Sequence, residues 1–437
     1  MEWYWLLAII FAGLIGLLLT GMPIAFAFVF VSAALFLYLG GEVGLRHMIL
    51  GIESHMTRFI LMPLILFILM GEVMFHTGIA PLLIDALDNW LGKLPGRLGL
   101  LAVVSGTLLA TLTGASMASC AILGSQLTPE MEKRGYKREM SLGPVLGSAG
   151  LAVMIPPSGL AIYIGALGFI SIGRILLGIV FPGLIMAALY AGYIVIRSRL
   201  QPDLAPAYDV TPPPLTKKVM DTVKYILPVG LIIFLVIGVI ILGIATPSEA
   251  AATGTAGTFL LALAYRRLNW GTFKKTVRGT LKIAFMILTV LIGAYSFAQI
   301  LIFSGAARGL VGFILELPVP TIVIFIGIQA LGIILGMFLV PIGVITVIVP
   351  LFMPVLETLG IDPIWFAVIL MINVEMAPTS PPFGNNLIIM KGVAPPGTTM
   401  GEIYWAAIPF LICDIICMGF VIVFPQIALY LPSLIQR

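Results

Sequence analysis

Six hydroxyl side chains lie in or beside interruptions of otherwise apolar sequence: Thr113, Ser116, Ser119, Ser158, Thr379 and Ser380. The interruptions read Thr113-Gly114-Ala115-Ser116, Ile155-Pro156-Pro157-Ser158-Gly159, Val340-Pro341-Ile342-Gly343 and Pro378-Thr379-Ser380-Pro381-Pro382-Phe383-Gly384. Gly costs a helix backbone entropy, and Pro lacks the N–H and clashes with the preceding turn. In lipid, each N–H or C=O so freed is costly unless it faces protein or a water-filled cavity. Freed carbonyls with nearby hydroxyls can replace the hydration shell of Na⁺, and the N-terminus of a half-helix favours an anion. The chemistry these residues suit is therefore reversible binding of an alkali ion and an anion.

Covalent chemistry has no comparable set of groups. The chain lacks H-E-x-x-H, G-x-x-x-x-G-K-[ST] and any pair of carboxylates at a catalytic spacing, so neither zinc hydrolysis nor ATP coupling is expected. No enzyme activity, cofactor or metal beyond Na⁺ is expected. His47, His55 and His76 have no metal-ligand spacing, and Cys413 and Cys417 share a helix face at i, i+4, which suits packing rather than a disulfide.

The elements that must position the hydroxyls are membrane helices. Of 437 residues, 60% are hydrophobic and only 10% are charged, against about 25% charged in soluble domains. Roughly a dozen apolar stretches approach the ~20 residues a spanning helix needs. Met1–Thr20 is read as the first span, since Glu2 stands where a signal peptide would carry positive charge. The longest polar segment, Arg197–Lys224, is a proline-rich linker. Basic loops at Lys133–Arg138, Arg197–Lys218 and Arg266–Lys282 mark the cytoplasmic side. Tyr225–Tyr265 then holds two spans meeting at Thr246-Pro247. In Arg266–Lys282, Phe273, Val277 and Leu281 lie opposite Lys274, Lys275, Arg278 and Lys282, the pattern of an interfacial helix. The net charge of +4 is accounted for by such loops and gives no reason to expect nucleic acid.

An internal repeat organises the chain. Pro129, Gly135, Pro156, Pro157 and Gly159 recur as Pro354, Gly360, Pro381, Pro382 and Gly384, each 225 residues later (129 to 354, 159 to 384). One matched loop, Glu130–Glu139, has four basic residues, whereas the other, around Glu357 and Asp362, has none. The positive-inside rule puts the two on opposite sides, so the repeats should be inverted, as in secondary transporters. The expected division is a first repeat over 1–200, with a hairpin near 100–127 and a broken helix near 140–167, and a cytoplasmic linker over 201–224. A second repeat over 225–437 holds the interfacial arm 266–282, a hairpin near 321–357 and a broken helix near 363–390. For any single Gly or Ser, ordinary interhelical packing explains the residue; four breaks at equivalent places favour a shared role.

Several motifs carry a family resemblance. "GMPIAF" (Gly21–Phe26), "LTPEMEKRGY" (Leu127–Tyr136), "PPSG" (Pro156–Gly159), "FPG" (Phe181–Gly183), "TPSEAAATG" (Thr246–Gly254), "GIDPIWFAVI" (Gly360–Ile369) and "SPPFG" (Ser380–Gly384) resemble, in order and spacing, the large DctM-like membrane subunit of TRAP (tripartite ATP-independent periplasmic) transporters. The resemblance implies an all-α polytopic membrane protein, an inverted-repeat elevator-type transporter with two re-entrant hairpins and broken helices, in the bacterial inner membrane. It implies Na⁺-coupled uptake of a small organic anion, a carboxylate or sulfonate. A periplasmic binding protein (DctP-like) would deliver the anion, and a small membrane subunit (DctQ-like) would be a separate chain. It places one Na⁺ site at Thr113, Gly114 and Ser116 facing Ile155, Pro156 and Ser158. A second would lie at Phe338, Val340 and Gly343 facing Ala377, Thr379 and Ser380. The anion would lie between the hairpin tips, near Ser116, Ser158, Pro157, Ser380, Pro382 and Asn385, with Asn386 beside them. Two departures from the family pattern stand out: Thr113-Gly114-Ala115-Ser116 replaces a common Ser-Gly-Ser, and Val340 stands where relatives often carry an acid. A self-sufficient Na⁺/dicarboxylate symporter of elevator type is the alternative.

Four acids fall inside or at the ends of apolar stretches: Glu72, Glu249, Glu375 and Asp414. Such residues are functional candidates by default. Glu249 follows Pro247 in a first helical turn, which suits capping; Glu375, six residues before Pro381, is expected to bind a cation or to pair with a basic group. Arg174 and Arg308, at span ends, are expected to snorkel.

Overall fold

The structure is a computed structural model; it describes residues 2–434 except Lys93, Gly114, Ala115 and 207–212, and leaves out the side chains of Ile60 and 110–113. The described residues form helices and connecting turns, with no strand among them. Among the described residues six helices are long and apolar enough to cross a membrane, or up to eight if each sharply bent pair counts as one span. Shorter apolar helices, such as Trp3–Leu19, account for the remaining stretches the sequence marked.

Two helical hairpins and two broken helices recur at the 225-residue offset. The first hairpin joins Arg97–Thr113 to Ser116–Lys133, and the second joins Thr321–Gly336 to Pro341–Thr358. The first broken helix runs Arg138–Met154, then Gly159–Gly168 after a bend of 42°. The second runs Pro363–Met376, continues as one 3-10 turn over Ala377–Thr379, and resumes at Asn385–Val393. The turns at Gly135 and Gly360 both need a left-handed backbone (φ 83° and 69°), and the Pro156–Pro157 and Pro381–Pro382 bonds are both cis.

The packing is reciprocal. The first hairpin packs on Arg138–Met154 of its own half and, through its second limb, on Asn385–Val393 of the other half. The second hairpin packs on Pro363–Met376 and, through its second limb, on Gly159–Gly168. The matched loops stand at opposite ends of the molecule. At one end the Lys137 N–H donates to Leu204 O at 3.0 Å, beside the end of Val180–Leu200. At the other, Glu357 and Asp362 line a cleft with Phe169, Ser171 and Arg174, close to where that same helix begins. The repeats are inverted.

The outer helices show two features the sequence hid. Ile24–Met56 reverses at Gly41 (φ 57°, ψ −143°), a backbone that side chains other than glycine's rarely tolerate. Phe36 before the reversal and His47 after it both meet Phe303, with ring centroids 5.2 and 6.1 Å away. The expected interfacial arm 266–282 is not a separate element: it is the first part of an unbroken 34-residue helix, Trp270–Phe303. Nothing between Lys282 and Phe303 interrupts it, because that stretch has no Pro and its lone Gly293 fits closely over Ala25 and Phe28.

Two helices before the one ending at Phe303, and ahead of Pro247–Ala264, a helix begins at Leu215, inside the expected linker, and extends to Ile241 through two π-helical turns. Pro228 offers no N–H to the Lys224 carbonyl four residues before it. The Tyr265 hydroxyl donates to that carbonyl instead.

Candidate functional site

The breaks lie in the protein interior, as uncompensated backbone in lipid requires. Ile155 through Ser158 and Ala377 through Ser380 are all buried. Ser158 caps the resumed helix by accepting the Ala161 N–H at 3.4 Å. Ser380 turns the other way, its hydroxyl donating to Met376 O at 2.9 Å. Thr379 Oγ1 is buried with no hydrogen-bond partner, although its residue is only 2% exposed. A buried hydroxyl without a partner is costly, and at a helix break it is a ready ligand for a cation.

Close backbone packing fixes these segments. A Cβ on Gly384 would stand 2.4 Å from Pro378 O and 2.9 Å from Ser380 O, so only glycine lets the loop fold over its own break. On the first side, Gly183 sits against Met154 O, which accounts for glycine in the "FPG" motif.

The structure joins some of the sequence's candidates and separates others. Asn386 Nδ2 donates to Ser116 Oγ at 2.6 Å, tying the first hairpin tip to the second broken helix. Asn386 is fully buried, whereas its neighbour Asn385 is half-buried, so of the two asparagines it is Asn386 that reaches the hairpin. The helix starting at Asn385 turns one asparagine inward, and sequence alone left open which. Gly114 lies outside the described residues, as does the Thr113 side chain. In the second hairpin, Gly343 is buried against Ile24, but Phe338 (66% exposed) and Val340 (44%) are open, with Phe338 against the Phe383 ring. Pro156 and Pro157 are buried; Pro382 is exposed.

One contact escaped sequence reasoning. Tyr163 and Thr346 share a hydrogen bond of 2.6 Å between the first broken helix and the second hairpin. With Asn386–Ser116 it gives each hairpin a polar tie to the opposite repeat. The positions miss the 225 offset by two residues (163 to 386) and by five (116 to 346), too loose to find by exact matching.

The four acids separate cleanly. Glu249 completes a capping box: its carboxylate accepts the Thr246 N–H at 2.8 Å while Thr246 Oγ1 accepts the Glu249 N–H. Glu72 pairs with His76 one turn later at 3.1 Å and rests on Gly279. Among the described residues Glu375 has no basic partner, unlike the pairing considered from sequence. Its carboxyl meets that of Asp414, which also accepts the Tyr190 hydroxyl. No group of three or more His, Cys, Asp or Glu able to hold a metal occurs among the described residues.

Comparison with known proteins places this geometry. The family described as "Tripartite ATP-independent periplasmic transporter, DctM component" matches residues 11–427. A C4-dicarboxylate TRAP transporter large permease protein from Pseudomonas aeruginosa is 27% identical over 92% of this chain and 93% of its own length. An isethionate TRAP transporter permease protein from Oleidesulfovibrio alaskensis is 28% identical over 86% of this chain and 59% of its own. Among solved structures, the YdaH transporter of Alcanivorax borkumensis superimposes with a TM-score of 0.63 over 89% of this chain and 91% of that one, at 15% identity, a likeness of fold.

Proposed function

The chain belongs to the DctM component family of tripartite ATP-independent periplasmic transporters, and from that premise we propose that it is the permease subunit of a Na⁺-coupled importer of a small organic anion. The anion is a carboxylate or a sulfonate; the similar proteins named for C4-dicarboxylates and for isethionate support that class. A periplasmic binding protein delivers it, a small membrane subunit completes the assembly, and the complex resides in the bacterial inner membrane.

The observation that carries the reading is the pair of buried helix breaks at equivalent places, one of them bearing the unpartnered Thr379 hydroxyl. Na⁺ at each break is held by freed carbonyls and by hydroxyls: Ser116 and Ser158 on one side, Thr379 and Ser380 on the other. The anion lies between the hairpin tips, where resumed helices offer N-terminal N–H groups. The hairpins and broken helices move as one body against the outer helices, an elevator motion. Their reciprocal clasp makes that body a unit.

The test is uptake into proteoliposomes holding this chain and the small subunit, with the binding protein outside. A panel of carboxylates and sulfonates is offered with and without an inward Na⁺ gradient. Accumulation that needs both the gradient and the binding protein supports the proposal. Gradient-driven uptake without the binding protein points to a self-sufficient symporter, and Na⁺-independent uptake removes the ion sites.

A further inference from the structure

The half-helix Gly159–Gly168 ends against the outer helices. The Phe169 and Ile170 N–H groups both donate to Gly165 O, so the Ala166 carbonyl lacks the donor a continued helix would give it. The hydroxyl of Tyr295, a buried residue of the outer helix Trp270–Phe303, donates to Ala166 O at 3.0 Å instead. The C-cap residue Phe169 has a left-handed backbone (φ 56°, ψ 31°), which glycine normally takes and a bulky residue adopts only under strain. Phe169 is 60% exposed, yet two outer side chains engage its ring. Arg58 Cζ lies 5.0 Å from the ring centroid, and the His55 ring is 5.4 Å away. His55 in turn stacks on Tyr295, at 4.4 Å and 26°. A cation beside the C-terminus of a helix also suits the macrodipole.

We propose that His55, Arg58 and Tyr295 form a latch on this helix end, which holds the inner body in the position seen here and must release before the body moves. The inference rests on the elevator reading above and names what restrains that motion. His55 lies in the last turn of Ile24–Met56 and Arg58 just beyond it, while Tyr295 is on the long helix packed along Ile24–Met56. Ala166 and Phe169 belong to the first broken helix. The Tyr295 hydrogen bond and both contacts to the Phe169 ring therefore cross the boundary along which the body slides.

The residues at the equivalent places of the other half cannot build the same latch. Its resumed helix Asn385–Val393 is capped by Ala394, 225 residues after Phe169 (169 to 394), with an extended backbone (φ −68°, ψ 152°). A methyl group there offers no ring to engage. The positions matching His55, Arg58 and Tyr295 hold Thr280, Ile283 and Met70 (55 to 280, 58 to 283, 70 to 295). These supply no guanidinium, no imidazole and, at Met70, a thioether where Tyr295 has its donor. An attachment made by one half alone biases the body towards the position that makes it. The strained aromatic at position 169 is thus explained by what it touches across the boundary.

The experiment uses the full-length chain with its small subunit in proteoliposomes, spin-labelled at Leu242→Cys and Thr358→Cys. Both sites are exposed, the first at the end of the outer helix Leu215–Ile241 and the second at the end of the inner hairpin limb Pro341–Thr358. The native cysteines are buried. Pulsed electron–electron double resonance, in K⁺ and in Na⁺, gives the populations of the body's positions. Tyr295→Phe removes only the hydroxyl, and Phe169→Gly removes the ring while leaving a backbone that glycine favours. Each should lower the ratio of the label distance seen here to the other distance by roughly two- to tenfold, the effect of one or two weak contacts on a two-state equilibrium. Two distances in a ratio unchanged by both variants overturn the latch and leave the elevator reading standing. A single distance common to all three proteins in both ions means that the body does not move, which overturns the latch and the elevator reading together. Should Phe169→Gly not fold, the isosteric Tyr295→Phe decides by the same two criteria.

Discussion

Gly150 and Glu375 occupy equivalent places in the two halves, 225 residues apart, and they touch: a Cβ on Gly150 would stand 1.4 Å from Glu375 Oε1. Equivalent positions of an inverted repeat meet only on the axis relating the halves. Two large side chains cannot share that point, so one half carries the acid and the other yields the space.

Gly150→Ala should therefore destabilise the folded protein, by about 1–3 kcal/mol if the acid swings aside, as overpacking of a dense core does. Gly150→Ala with Glu375→Ala should recover much of the loss, since the inserted methyl then has room. Melting temperatures in detergent compare the single and double variants; equal losses in the two would mean that the steric clash is not the cause.

Ser116→Ala and Thr379→Ala should raise the Na⁺ concentration giving half-maximal uptake. Thr379→Ala is the more telling, because the hydroxyl it removes makes no hydrogen bond in the protein. Its loss should cost little stability while weakening ion dependence. A Na⁺ response unchanged in both variants removes the ion-site assignment.

Asn386→Ala should release the first hairpin tip. A buried hydrogen bond contributes about 0.5–1.5 kcal/mol net, and here it joins two segments that must meet for binding. Half-maximal anion concentration should rise several-fold, about what such an energy converts to. Asn386→Gln places its amide one methylene too far and should not restore affinity. Uptake titrations with the complete three-part system read both variants.

Thr246→Ala should cost about 0.5–2 kcal/mol through loss of an N-cap, with Na⁺ and anion dependence unaltered. Glu249→Gln should cost less, because Gln can still complete the box. A shift in ion dependence with either variant would move Glu249 from a capping role to an ion-binding one.

Much of the fold was legible because Pro and Gly punctuate it. The breaks at Pro156 and Pro381, the hairpin tip before Pro341 and the cap at Thr246 each have a local chemical cause, and local causes survive in sequence. The inversion was legible through loop charge. The reversal at Gly41 was not, since a lone glycine in an apolar run has many uses. The arm was misjudged because amphipathic periodicity shows where a surface helix starts but contains no signal that it stops. Asn386 over Asn385, and Asp414 beside Glu375, depend on how separate helices rotate against each other, which no single segment encodes. Gly150 opposite Glu375 was written in the offset all along, but only knowing that the axis passes between them turns the arithmetic into a contact.

At about 1.5 Å per residue, the helix Trp270–Phe303 is about 50 Å long, while the hydrocarbon layer is about 30 Å thick. A rod of that length must lean, or push its basic first turns out past the headgroups. Having no joint, it runs unbroken from its charged end to Tyr295, Gln299 and Phe303, against which His55, Gly51 and Phe36 pack. The basic first turns and the folded-back helix pair at the far end are thus tied to one another through a single stiff beam.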